Sequence, residues 1–456
     1  MKPYSKPTHR GHTAIVLLVL LFGGCATYHP KPLPSATDLA PGVEQLKQQA
    51  QSSSGTTGAV LSLDEVAVYA VGNNPDLKAR RARLGIKGAE LYAAGLLPDP
   101  QLSASLDHPT SDAASTVDAY GIGLGYDIIP LINRGARLDS AQEAQAQAGL
   151  ELLWQEWQVS QRARVLAVNL ASQQRQVALL EQMRDLYAQR YRNSSGAVAR
   201  GDVTLGVAGT DLTALLDTLS RISRLRQTLN DTRHELNLLL GLAADAPLTV
   251  HLPSLPPLPA AGVWQGALQT MPQRRPDLLA LQAGYRSQEA KVRAAILSQF
   301  PSLSIGINRA RDTSDVNTVG FSINLALPLF SGNRGNIAIE RATREQLGTE
   351  YQARLDQAAI DVDRLMQLQG LVADQLAQLD EYVPVLKNLV DRGREAYQHG
   401  DIDAVTFLNM ENTWVDKRLE QIDLTQTQRT NLIALQTLLA LPAEGGPSGS
   451  PHQGGK

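Results

Sequence analysis

Four stretches of this chain alternate polar and apolar residues with a strict period of two, and their number limits what the chain can fold into. Leu102, Ala104 and Leu106 alternate with Ser103, Ser105 and Asp107, and Tyr120, Ile122, Leu124, Tyr126 and Ile128 with Gly121, Gly123, Gly125 and Asp127. The pattern returns as Leu303, Ile305 and Ile307 against Ser302, Ser304, Gly306 and Asn308. It recurs as Phe321, Ile323, Leu325, Leu327 and Leu329 against Ser322, Asn324 and Ala326. Strand side chains point alternately to two faces, so each stretch predicts a strand with one apolar and one polar side. The polar segments 107–117 and 308–318 read as the turns between them. Strands of about ten residues cross a bilayer when tilted. Four strands cannot close a barrel, because about eight are needed even for a small one. Open edges are not tolerated in lipid. If the apolar face meets lipid, other copies of the chain must complete the sheet, and three copies bring twelve strands.

The segments beside these hairpins predict helices of great length. No proline occurs from Leu131 to Ala246, and from Asn336 to His399 only Pro384 interrupts. About 60 residues of helix would be about 90 Å long. Tyr351, Leu355, Ala358, Val362, Leu365, Val372, Leu376, Leu379, Val383, Leu386 and Val390 recur in steps of three, four or seven. The average, about 3.5, is coiled-coil spacing with a narrow seam. Leu152, Val159 and Leu166 keep the same step earlier in the chain. Each long helix is expected to end in a turn, at Gly196 to Gly201 with Asp202 and at Gly400-Asp401-Ile402-Asp403. Glycine can stop the incoming helix and aspartate can cap the outgoing one. Returning helices then run to about Leu240 and Leu441.

The chain is also internally duplicated. Asn74-Pro75-Asp76-Leu77 returns as Arg275-Pro276-Asp277-Leu278, and Pro100 as Pro301. Ile129-Pro130-Leu131 matches Leu327-Pro328-Leu329, Arg134-Gly135 matches Arg334-Gly335, and Gly201-Asp202 matches Gly400-Asp401. Two structural repeats follow, 62–246 with a hairpin at 98–130 and 263–442 with a hairpin at 301–330. A Pro-rich linker, 247–262, joins them. Residues 25–61 are expected to be extended, and the Gly/Pro/Ser tail at 443–456 disordered.

The first residues supply an address. Lys2, Lys6 and Arg10 precede the apolar run Ala14 to Phe22, which is too short to span a membrane. Leu21-Phe22-Gly23-Gly24-Cys25 then resembles a lipobox, in which a signal peptide (1–24) is removed and Cys25 is acylated. Cys25 is the only cysteine, and a leader offers nothing to bury it. Ala26 follows it in place of an inner-membrane retention Asp, which points to the outer membrane. One acyl set anchors a protein only with a second contact.

The residues argue against an enzyme. His29, His108, His234, His251, His399 and His452 are scattered, with no HExxH and no CxxC, so no metal, cofactor or catalytic group is expected. His234 and Glu235 adjoin on a helix and therefore point to different faces. Gly121, Gly123 and Gly125 lack the strand–turn–helix setting of a nucleotide site. Trp154 and Trp157 read as packing anchors. A formal net charge of −3 offers no footprint for nucleic acid.

Taken in order, the paired Pro-Asp-Leu segments at 75–77 and 276–278, Ser298-Gln299-Phe300-Pro301-Ser302-Leu303, Leu327-Pro328-Leu329-Phe330-Ser331-Gly332 and Tyr397-Gln398-His399-Gly400 resemble the TolC family of outer-membrane efflux factors. The resemblance covers nearly the whole mature chain, and Cys25 places it with the lipid-anchored members. It implies an α+β membrane protein, with a long coiled-coil α-helical barrel below a transmembrane β-barrel shared by a homotrimer. It implies a periplasmic membrane-fusion adaptor and an inner-membrane transporter as partners, beside outer-membrane lipid. It also implies a passive exit duct for small molecules or metal ions. Leu97-Pro98-Asp99-Pro100 is similar to relatives tied to heavy-metal efflux. By the same resemblance the periplasmic aperture involves Tyr397, Gly400, Asp401, Asp403, Thr406 and Asn409. Thr406 and Asn409 stand where some members carry acids, which argues against an aspartate ring. The tips 196–206 and 398–408, with Gly196, Gly201, Asp202 and Gly400, would meet the adaptor. Two other readings stay open: a duct for type I protein secretion, and a periplasmic coiled-coil lipoprotein scaffold, which would need no membrane strands.

Overall fold

A computed structural model describes residues 28–49, 60–110, 116–254 and 261–441. The signal peptide, Cys25 and the tail at 443–456 lie outside the described residues. Residues 28–39 form a unit of their own, exposed and without regular structure.

In the remaining unit the order helix, strand, strand, long helix, returning helix occurs twice. It runs first through α3 (Pro75–Gly95), β2 (Gln101–Asp107), β3 (Ala119–Asp127), α4 (Ile129–Arg200) and α5 (Leu205–Leu240). It runs again through α7 (Pro276–Leu297), β5 (Ser302–Arg311), β6 (Asn317–Ala326), α8 (Arg334–His399) and α9 (Ala404–Leu438). Short elements fill the rest: α1 (Val43–Gln49), β1 (Val60–Leu61), α2 (Leu63–Asn73), β4 (Thr249–Val250) and α6 (Ala261–Thr270).

Local chemistry explains the helix starts. Ser62 and Glu65 form a reciprocal cap at the head of α2: Ser62 Oγ accepts from Glu65 N at 3.2 Å and Ser62 N donates to Glu65 Oε2 at 2.8 Å. Asn74 Oδ1 accepts from Leu77 N at 3.0 Å, and Pro75 opens α3, where no N–H is required. The long helices then run without a break. α4 has 72 residues and α8 has 66, so they extend about 108 and about 99 Å. Pro384 lies inside α8 and does not end it. Its ring is exposed, and it leaves one backbone bond of the helix unmade. Among the described residues no helix is long and apolar enough to cross a membrane.

The seam expected for α8 faces inward. Ala358, Val362, Leu365, Val372, Val383 and Val390 are buried, and the seam's other residues are half-buried. α4 packs along α5 and α7, and α8 along α7 and α9. The largest core surrounds the middle of α4, where Leu166, Val168 and Leu170 meet Val66 and Tyr69 of α2, and Leu236 and Leu240 of α5.

The four longer strands form one antiparallel sheet in the order β2-β3-β5-β6, with β2 and β6 at its edges. The register keeps like with like across all four strands. Leu102 pairs with Leu124, Leu124 with Ile307, and Ile307 with Phe321. The next row, on the opposite face, is Ser103, Gly123, Asn308 and Gly320. Leu102, Ile307, Phe321 and Ile323 are all exposed, so this face of the sheet is uncovered and apolar except at its turn end, where Arg309, Arg311 and Asn317 join it.

Several expectations are corrected. The turn expected over 308–318 is shorter, because β5 continues to Arg311 and β6 begins at Asn317. The polar residues there still pair across the ladder, and Asp312 Oδ1 closes the turn by accepting from the N–H groups of Ser314 and Val316. The segment 25–61 is not wholly extended: it contains α1, and Ala40 is bonded to Gly241 and Ala243. The linker 247–262 holds β4, which pairs in parallel with β1, and its last residues open α6.

Candidate functional site

The far ends of the two long helical hairpins come together and carry the most unusual chemistry in the described chain. α4 stops at Gly201, whose φ of 79° lies in the left-handed region open to glycine. Gly201 N donates to Val198 O and Asp202 N to Ala197 O, which satisfies the last carbonyls of the helix. α8 stops in the same way at Gly400, with φ 83° and a bond from Asp401 N to Ala396 O at 2.9 Å. Asp403 caps α9 by accepting from Thr406 N at 2.7 Å, and that bond holds its carboxyl below the usual carboxylate range.

Two expectations fail here. Gly196 is not in a turn but inside the last turns of α4, which runs on to Arg200. Asp202 does not cap α5: Thr204 holds that position without a side-chain bond, and Asp202 Oδ2 accepts from Arg200 Nε at 2.8 Å.

Just inside the turns, charged groups are buried between four helices. Arg190 of α4 places Nη1 2.6 Å from Oε2 of Glu411 on α9, and Nη2 2.9 Å from Oδ1 of Asp211 on α5. Arg394 of α8 approaches Glu411 Oε1 at 3.5 Å. Glu411 is 1% exposed and Asp211 2%. The Arg190 guanidinium also lies over three rings, with centroids 5.9 Å away for Tyr187, 5.7 Å for Tyr397 and 5.1 Å for Phe407. Tyr397 and Phe407 stack at 5.4 Å with 12° between their planes. The Nη2 contact with Asp211 lacks hydrogen-bond alignment and Nε finds no acceptor, so charge and ring faces hold much of this cation. A cleft of about 410 Å³ opens beside the cluster.

Burial pushes the Glu411 carboxyl above the usual carboxylate range, and the nearby Arg190 and Arg394 offset this only in part. Burial, aided by the charge of Glu411, also drives the Tyr187 hydroxyl well up, so it stays protonated and donates to Asn412 Oδ1 at 3.1 Å. Taking such charges out of water costs several kcal/mol each, and the cost is recovered only with partners close at hand. The cluster therefore holds the tip of the first hairpin to the tip of the second.

The structure places the residues expected at the aperture around this cluster. Tyr397 is turned into it, Gly400 and Asp401 form the turn, and Asp403 is the cap. Thr406 and Asn409 are exposed on the first turns of α9. Arg190, Asp211, Glu411 and Arg394 were not anticipated, although a signal existed. Met183, Tyr187, Arg190 and Ser194 follow heptad-like steps, as do Ala404, Leu408, Glu411 and Val415. A charge at a seam position marks a buried pair or a break.

Elsewhere, Trp154 is buried beneath the Arg275 guanidinium at 4.9 Å, and Trp157 Nε1 donates to Thr437 O at 3.3 Å. Among the described residues no group of three or more His, Cys, Asp or Glu side chains could hold a metal ion.

Comparison with known proteins agrees with this geometry. Residues 267–441 match the family described as outer membrane efflux protein. The cation efflux system protein CusC of Escherichia coli K12 is 27% identical over 236 residues, which is 49% of this chain and 50% of that protein. The probable outer membrane lipoprotein SilC of Salmonella typhimurium is 22% identical over 176 residues, 36% of this chain and 38% of its own. The chain thus spans half the length or less of these curated relatives. A crystal structure of CusC superposes with a TM-score of 0.70 at 19% identity, covering 91% of this chain and 99% of that one. The CmeC outer membrane channel of Campylobacter jejuni gives 0.71 at 15% identity, with 91% and 94% covered. Likeness at that level speaks to the fold. Residues 267–441 are thus similar to the outer membrane efflux protein family, and across 91% of its length the chain shares the fold of the CusC channel.

Proposed function

We propose that this chain is one third of an outer-membrane channel-tunnel, the passive exit duct of a tripartite efflux system whose cargo is a metal cation. The observation that carries the reading is the four-stranded sheet with one uncovered, largely apolar face and, among the described residues, two unpaired edges. Such a sheet is stable in lipid only when its edges are paired, and three copies complete a twelve-stranded barrel. The helices below would form the periplasmic tunnel as a coiled-coil barrel. The two repeats supply equivalent hairpins to both parts.

Similarity to a cation efflux system protein supports the choice of cargo. In this reading the protein is not an enzyme: energy comes from an inner-membrane transporter, and a membrane-fusion adaptor meets the tips around Gly201, Asp202 and Gly400. The tip cluster centred on Arg190 sets the resting width of the aperture, beside Tyr397, Asp401, Asp403, Thr406 and Asn409. Acylated Cys25 tethers the extended segment to the same membrane.

The test is planar-bilayer conductance of the purified protein, paired with its mass in detergent. Discrete channels from a species of three protomers are expected. A monomer that forms no channel would sink the proposal. Export is checked separately, by whether deletion of the gene sensitises cells to a panel of metal salts.

A further inference from the structure

We infer that copies of this chain meet below the sheet by laying α3 of one copy antiparallel to α8 of the next, with Arg83 of α3 facing Glu350 of α8. This rests on the trimeric reading above. Within one copy, α3 presses on α4 through Leu77, Arg81 and Gly88, the last beside Gln145. α8 presses on α7 through Arg344, Gly348 and Tyr351. Among the described residues the opposite faces have no neighbour along their length: Ile86 of α3 is 59% exposed and Ile360 of α8 is 63%.

Both helices hang from the free edges of the sheet. α3 ends at Gly95, just before edge strand β2, and α8 begins at Arg334, just after edge strand β6. If β2 of one copy pairs with β6 of the next, α3 and α8 are brought side by side, running in opposite directions. Arg83 lies twelve residues from the sheet end of α3, and Glu350 sixteen from the sheet end of α8. The difference is one helical turn, about 6 Å, within reach of these two long side chains.

The flanks also agree. Arg83 is three residues before Ile86, and Glu350 three before Ala353, which lies two turns before Ile360 on the same exposed face. Ile86 and Ala353 thus mark the middle of the two uncovered faces. Three residues back is a rotation of about 60°. For opposed helices facing one another, equal rotations carry both charges to the same side of the seam. Arg80, a further 60° round, turns instead towards α4, and Arg83 stands at the rim of the cleft that Arg80 shares with Glu151. Arg83 forms no ion pair among the described residues, and Glu350 accepts only from Gln346 Nε2, at 2.8 Å. A heterologous contact of this kind, repeated by rotation, closes a ring. Charge across such a seam fixes which surfaces meet and in what register.

The test uses the full chain extracted from membranes. Arg83→Glu or Glu350→Arg alone should lower the monomer–trimer equilibrium constant about tenfold, since three weak pairs change at once. The double reversal should bring it back to within about threefold of the parent. Independently, Ile86→Cys with Ala342→Cys should be joined between copies by a short bifunctional maleimide, giving dimers and trimers on a denaturing gel. A conducting trimer that ignores both single reversals and shows no cross-link overturns the seam and leaves the duct standing. A parent protein that is monomeric and forms no channel overturns the duct and the seam together.

Discussion

Arg190 Nη1 lies 2.6 Å from Glu411 Oε2, and this pair joins the two long helical hairpins at their tips with both side chains almost out of water. Removing the carboxylate strands a buried guanidinium. Glu411→Ala should therefore destabilise the tip by about 3–5 kcal/mol. Hydrogen exchange should show it as faster opening confined to residues 183–214 and 390–415. Protection unchanged there would mean that the pair is idle.

The same carboxyl should respond to acid earlier than an ordinary glutamate. Its folded pKa is raised by burial, so the folded tip binds a proton more readily than the unfolded chain. Stability tied to this group is present below the unfolded pKa and is lost as pH rises through the folded pKa. Protonation nevertheless removes the charge that Arg190 and Arg394 face, beside Asp211. Isotope-edited infrared spectroscopy should find the Glu411 carbonyl band persisting to higher pH than in an exposed glutamate. The Glu411→Gln variant should lose that titration.

On the sheet, the two faces should differ sharply in tolerance. Ile307→Arg puts a charge on the uncovered apolar face and should cost about 2–4 kcal/mol near mid-bilayer. Asn308→Arg puts the same charge on the other face and should be tolerated. The share of protein folded in lipid vesicles across a urea series measures both.

At the turns, Gly201 and Gly400 hold φ values of 79° and 83° with open space around them. Alanine there meets no clash and suffers only the left-handed backbone, at about 1–2 kcal/mol. Asparagine should cost less at either site. Thermal melts of the single variants would rank all three residues.

Thr406 and Asn409 offer a separate readout. If they line the aperture, Thr406→Asp and Asn409→Asp should shift the reversal potential in a salt gradient towards cations. An unchanged potential would place both residues off the conduction path.

The sheet and the long helices were legible because their periods are physical, two for a pleated strand and about 3.5 for a supercoiled helix. The hairpin over 308–318 was misjudged because polarity was taken to end a strand. Arg309 and Arg311 instead pair with Val319 and Asn317 as regularly as their apolar neighbours do. Gly196 misled in a similar way, since glycine permits a turn without requiring one, and α4 carries it for a modest loss of propensity. Ala40 and the β1–β4 pair were invisible because two-residue contacts between segments far apart leave no periodic trace. The Arg190 cluster was missed for a different reason: each charge looked like part of a solvated face until four helices brought them together.

If the proposed trimer is right, the free edges of the sheet have a consequence for how this protein exists in a cell. A chain whose backbone pairing is completed only by other copies has no fixed stability of its own, because its folded fraction follows mass action. Dilution acts on it as a denaturant. A newly exported copy is most exposed to proteases while its siblings are scarce, and each one that arrives makes the next safer.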